Sequence, residues 1–235
     1  MSIKDMHYDF KVRLNKIDSN QYRNIKIPEI DRKLNEAALI IVKSITRPRR
    51  SINSVLQYNQ RSMEDIRTLI VDASPLTITQ LDVKTFSVTL PENYFSYIKS
   101  EILASKGDCK NIKLEDIVRR HEDKYEEVYD ISSFEWRECN LNFTGNTIKM
   151  FTDTTFSIDS FKLDYIRQFA YMHNAEDFLS TGYALPNGTV LTGFQDCELP
   201  EVLHTEIVDL AVLIASGEIN ALDYQIKLNK FQINQ

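Results

Sequence analysis

Apolar residues along this chain recur at two different intervals, and the change of interval divides it. Between residues 199 and 219, Leu203, Ile207, Leu210 and Ile214 fall at i, i+4, i+7 and i+11, one stripe of a helix. Pro200 suits the first turn, Glu201 suits the positive end of the macrodipole, and Gly217 suits a C-terminal cap. Val208, Ala211, Val212 and Ala215 widen the apolar surface past that stripe, which places this helix inside a bundle. A second helix is read over 28–46, where Ile30, Leu34, Ala37 or Ala38, Ile41 and Ile45 repeat until Pro48 ends it. Ser62 to Asp65 have the form of a capping box, opening a short helix over 63–69. A further helix is expected from Pro91 to about Ser105. Tyr94 and Ile98 stand four apart there, as do Phe95 and Lys99, and Ile102 closes the stripe.

The middle of the chain reads differently. Leu76, Ile78, Val83, Thr85 and Val88 favour strands over 76–90, with the alternation shifting at 80–82. Residues 109–118 and 161–169 read as further strands, and Pro186 to Thr189 as a turn. Segments 135–143 and 148–152 flank Thr144-Gly145-Asn146-Thr147, a hairpin signal because Gly and Asn tolerate positive φ. The first 28 residues mix Lys11, Arg13, Lys16, Arg23 and Lys26 with Tyr8, Phe10 and Tyr22, and read as an extended basic arm. At the other end, Leu222, Ile226 and Leu228 could carry the last helix on as a protruding tail. The expected fold is α+β: N- and C-terminal amphipathic helices packed as a helical core, with a β-rich antiparallel middle. The expected divisions are the arm 1–28, a helical core of 29–75 plus 199–217, a β-rich insertion 76–198, and a tail 218–235.

Composition narrows the class. Hydrophobic residues make up 43% and charged residues 26%, ordinary for a soluble globular chain of 235 residues. The longest aliphatic run, 37–42, is far short of a membrane span, and no apolar run follows a basic start. Synthesis in a cytoplasm, with no membrane partner, is therefore expected. Cys109, Cys139 and Cys197 are odd in number and unclustered, which speaks against a disulfide framework or a zinc site. The net charge of −6 is unevenly spread: residues 1–50 carry +6 and the rest −12, with nine acids and four bases in 115–138. Such polarity suits a subunit whose basic and acidic ends meet different surfaces.

Chemistry is sparse. No phosphate-binding loop, dinucleotide fingerprint, H-E-x-x-H or G-x-S-x-G occurs, so no catalytic residue, metal ligand or cofactor is expected. His7, His121, His173 and His204 share no ligand spacing and are read as structural or surface residues. Asp82-Val83-Lys84 has the acid–x–Lys form found in metal-dependent nucleases, a tripeptide that chance supplies freely among 34 acids. The best candidate contact is the loop of Arg47, Arg49 and Arg50, three guanidiniums held out at a helix end by Pro48.

Four segments carry a resemblance. Residues 9–43 (DFKVRLNKIDSNQYRNIKIPEIDRKLNEAALIIVK), 90–102 (LPENYFSYIKSEI), 161–170 (FKLDYIRQFA) and 199–219 (LPEVLHTEIVDLAVLIASGEI) are similar to a virion protein of crAss-like and related Bacteroidetes phages. Those proteins resemble the head-to-tail adaptor of short-tailed phages. The resemblance implies a homo-oligomeric, dodecameric ring on the portal vertex of the virion. Its implied partners are the portal protein, neighbouring copies, further tail ring proteins and the DNA passing through the lumen. In such adaptors a C-terminal extension grips the portal; here that is 218–235, with Leu222, Ile226, Lys227 and Lys230 as contact residues. This tail is short for the role, which leaves the arm 1–28 as the other route to the portal. The implied function is a head-to-tail connector that acts by assembly. A phage metal-dependent nuclease using Asp82 and Lys84 is the alternative, and a host-attachment module with the 144–147 hairpin outermost is a third reading.

Overall fold

The computed structural model describes residues 1–15, 25–46, 64–118, 132–179 and 181–218. They form two compact units, one of residues 70–168 and the other of 1–69 with 169–235.

The 70–168 unit is a sheet of eight strands: β1 (Ile70–Leu76), β2 (Ile78–Gln80), β3 (Thr85–Thr89), β4 (Tyr94–Lys106), β5 (Cys109–Val118), β6 (Glu138–Thr144), β7 (Thr147–Phe151) and β8 (Ser157–Arg167). Their spatial order is β1-β8-β4-β5-β6-β7-β3-β2. The two outermost strands, β1 and β2, follow one another in the chain with only Thr77 between them, so the sheet curls until it is nearly closed. Alternate side chains fill the inside: Phe86 and Val88, Ile102 and Ala104, Leu141, Ile148 and Met150, Phe161 and Leu163. The open edge at β1 is blunted twice. A bulge between Val71 and Ser74 puts Ala73 at φ 49°, its N–H donating to Asp164 Oδ1 at 2.6 Å, and Pro75 offers no donor. Gly145, at φ +59°, turns β6 into β7 as the hairpin signal predicts.

The other unit holds α1 (Ile3–Asn15), α2 (Ile27–Thr46) and α3 (Glu201–Glu218), with a 3₁₀ turn at Arg67–Leu69. Two small pairs complete it: β9 (His173–Asn174) with β12 (Phe194–Gln195), and β10 (Tyr183–Ala184) with β11 (Val190–Leu191). Helix α3 packs against both α1 and α2. It buries Leu203, Ile207, Leu210 and, between them, Val208, Ala211 and Ala215. Arg13 of α1 meets Asp209 of α3 at 2.6 Å.

The expected fold is overturned. A helical core of terminal helices around an antiparallel middle does not describe the chain. Among the described residues there are three α-helices and a large, nearly closed eight-stranded mixed sheet, with 40% strand against 31% helix, so the sheet is the dominant element. It is mixed because β5 and β6 run parallel.

Two local readings are corrected with it. The helix expected after Pro91 is β4, the longest strand. Bulges break the alternation of this strand, so Tyr94, Tyr97, Ile102 and Ala104 face the core at intervals that no regular strand shows in sequence. Pairing with β8 along nearly its whole length then decides for the strand. Part of the basic arm is a helix, because Ile3, Met6, Phe10 and Leu14 make a buried stripe. Ser2 and Asp5 cap it reciprocally, the Ser2 N–H donating to Asp5 Oδ2 at 3.0 Å and the Asp5 N–H to Ser2 Oγ at 3.2 Å.

Candidate functional site

The residues singled out for partner contact, Arg47, Arg49, Arg50, Leu222, Ile226, Lys227 and Lys230, lie outside the described residues, as do His121 and most of the acidic run. Asp82 and Lys84 lie within them, in the β2–β3 turn rather than on a strand. The Asp82 carboxylate accepts the next residue's N–H at 2.7 Å and is otherwise exposed. Among the described residues no group of three His, Cys, Asp or Glu side chains is placed to hold a metal ion. The nuclease alternative therefore gains no support from this geometry.

The same turn has a different character. Register fixes which loops share an end of the sheet. Thr85 pairs with Phe151 and Ser105 with Ser157, so the 81–84 turn, the 107–108 turn and the 152–156 loop lie together. The 134–137 turn joins them, because Lys106 Nζ reaches Glu135 Oε1 at 2.6 Å and stands 5.8 Å from the Phe134 ring centre. Ile70 pairs with Ile166 and Tyr94 with Arg167 at the opposite end, where the chain enters and leaves this unit.

The far end thus presents Leu81, Val83 and Trp136 to solvent, 59%, 67% and 81% exposed. Trp136 is the chain's one tryptophan. Its turn is held in shape: the Trp136 N–H donates to Ser133 Oγ at 3.3 Å and Arg137 sits at φ 57°. The charges here balance. Lys84, Lys106, Lys110 and Arg137 stand against Asp82, Asp108, Glu135 and Asp153, so this is not the basic surface that phosphate backbones require. Three exposed apolar side chains thus share one end of the sheet.

Inside the helical unit lies a polar centre that the sequence reading missed. Asp31 of α2 is fully buried, yet its carboxylate has three donors at hand. His7 Nε2 of α1 lies 2.7 Å from Oδ1, and the Tyr183 hydroxyl donates to Oδ2 at 2.6 Å. The Asn174 N–H lies 3.3 and 3.2 Å from the two oxygens. One turn on, Asn35 reads Met172 from both sides, donating to its carbonyl at 2.7 Å and accepting its N–H at 2.9 Å. Two side chains of α2 thus hold the backbone at 172 and 174 much as a neighbouring strand would. With its proton on Nε2, His7 donates to Asp31 and leaves a buried Nδ1 lone pair without a partner. Burial, reinforced by the Asp31 carboxylate, pushes the Tyr183 phenol well above its ordinary range. Asp31, His7, Asn35 and Asn174 are buried and Tyr183 is half-buried, so the centre ties chain segments together. One signal marks it in sequence: Asp31 and Asn35 fall on the apolar stripe of Ile30, Leu34, Ala38 and Ile41, where a carboxylate must find donors.

Two other polar features are accounted for locally. Half-buried Asp116 of β5 takes the Tyr97 hydroxyl and, at 3.2 Å, the Ser100 N–H beside a bulge in β4; burial raises its carboxyl. All three cysteines are free, and burial pushes the Cys139 thiol up to about 12 and the Cys197 thiol up to about 11, far from the thiolate that reacts. No described helix is long and apolar enough to cross a membrane. No protein-family model matches the chain, and no curated protein matches it.

Proposed function

We propose that this chain is a virion structural protein that forms a ring between portal and tail, acting by assembly and guiding DNA passage. The observation that carries the reading is the exposed set of Leu81, Val83 and Trp136, at the end of the β unit away from its two chain crossings. A unit with its own core that offers apolar side chains at one end is suited to meeting a protein neighbour. The helical unit, with a separate core, leaves the chain a second set of surfaces for portal and for lateral copies. The resemblance of segments 9–43, 90–102, 161–170 and 199–219 to phage adaptor proteins supplies the place of assembly.

The test is reconstitution. The full chain is mixed at micromolar concentration with the portal protein encoded in the same genome and imaged by negative stain. Rings capping the portal are expected. Absence of any association across a range of ionic strength contradicts the reading. Replacing Leu81, Val83 and Trp136 together by Ser should leave portal rings intact and weaken capture of the next tail component.

A further inference from the structure

We propose that residues 175–179 and 181–193 form a strap that opens and closes on the helices as a unit, with Asp31 as its latch. The strap is a loop closed at its base by two register pairs, Phe194 with Asn174 and Gln195 with His173. The Glu176 N–H donating to the Gly193 carbonyl at 2.8 Å adds a third tie. Among its described residues only Ala175 and Gly182 are buried, while Leu179 and Val190 face solvent. Helix α2 buries eight residues over a similar length. A segment with so little buried apolar surface has little beyond polar bonds to resist local opening.

Its internal order is nonetheless specific. Gly182, at φ +74°, runs so close to the Leu191 carbonyl that a Cβ there would lie 1.8 Å from the oxygen. Phe178 packs edge-on against Tyr183 at 6.0 Å. The strap is thus shaped within itself but held down at few points. Lys4 reaches Glu176 and Asp177 at 3.3 and 3.6 Å, an exposed pairing of the kind that contributes little. The Asn174 side-chain amide donates to Asp177 Oδ2 at 2.8 Å, the half-buried Tyr183 hydroxyl donates to Asp31, and the same Asp31 carboxylate grips the Asn174 N–H at the base. Both grips converge on one side chain. Releasing it frees the strap while α1, α2 and α3 keep their apolar contacts, and opening uncovers the Asp31–His7 pair.

Hydrogen–deuterium exchange of the full chain, read by mass spectrometry at several sub-denaturing urea concentrations, decides the matter. Strap amides are expected to exchange faster than those of α2 and α3, at rates that do not vary with urea. Tyr183→Phe keeps the ring and removes the hydroxyl; it should speed strap exchange about five- to tenfold and leave α2 and α3 unchanged. Asp31→Asn should act the same way and more strongly. The proposal is overturned if strap amides share the rate and urea dependence of α2 and α3, if Tyr183→Phe speeds all of them alike, or if it changes none.

Discussion

In the helical unit a carboxylate, Asp31, is wholly buried; in the β unit a tryptophan, Trp136, is left 81% exposed. Each placement is costly by the usual rule, and the two costs are met differently. Asp31 gathers its donors from α1, from Tyr183 and from the backbone at 174, so the burial is compensated inside the molecule. Trp136 forgoes roughly 2–3 kcal/mol of burial that nothing else in the described chain supplies. A compensated polar group inside is part of how the unit is specified. An uncompensated apolar group outside, on a turn held in shape, is what the proposed partner contact would bury.

Substitution should separate the two sites sharply. Asp31→Ala leaves the Tyr183 hydroxyl, His7 Nε2 and the Asn174 N–H in the interior with no acceptor. A loss of about 3–5 kcal/mol of unfolding free energy in urea is expected, and under about 1 kcal/mol would show the centre to be incidental.

The comparison can be sharpened within the β unit, where Asp116 and Glu101 respond to pH in opposite senses. Burial raises the Asp116 carboxyl above its ordinary 3.8 in the folded chain, so folding takes up a proton between the two values. Its contribution is fully present below the unfolded value and falls as pH rises toward the folded one. Exposed Glu101 is lowered from 4.5 by hydrogen bonds from Lys113 and Lys162, so its contribution is present above the unfolded value and is lost as pH falls through the folded one. Asp116→Asn keeps an oxygen for Tyr97 and Ser100. Subtracting its stability from that of the parent protein between pH 3 and 7 should give a difference that declines with rising pH. A flat difference would remove Asp116 from the account.

The smallest effect belongs to the exposed end. Trp136→Ala should alter stability by less than about 0.5 kcal/mol, because its side chain leaves little burial to lose. The parent protein's tryptophan emission should be that of a solvated indole. Emission typical of a buried indole would mean that the turn is covered in the isolated chain.

Individual elements could be read from periodicity, while the architecture they build could not, and the differences have physical causes. Helices α2 and α3, strands β5 and β8, and the turn at Gly145 follow from local spacing and turn chemistry, which is where sequence signals are strongest. Strand β4 reads as a helix because bulges break its alternation, bringing Tyr94, Tyr97 and Ile102 to the core; only pairing with β8 decides for the strand. The parallel β5–β6 pair and the near closure of the sheet depend on contacts distant in the chain, for which no local pattern exists. Helix α1 was hidden by its charges, although Ile3, Met6, Phe10 and Leu14 carried the stripe. Of the candidate sites, Asp31 was missed although a carboxylate on an apolar helix face was there to be noticed. The exposure of Trp136 was not, since it follows from where the 134–137 turn meets Lys106.

A cryo-electron reconstruction of the phage particle in which this chain is proposed to sit tests the central claim most directly. The account predicts a ring of copies at the junction of capsid and tail, with Leu81, Val83 and Trp136 covered by a neighbouring protein. Finding the chain elsewhere in the particle, or absent from it, would contradict that account.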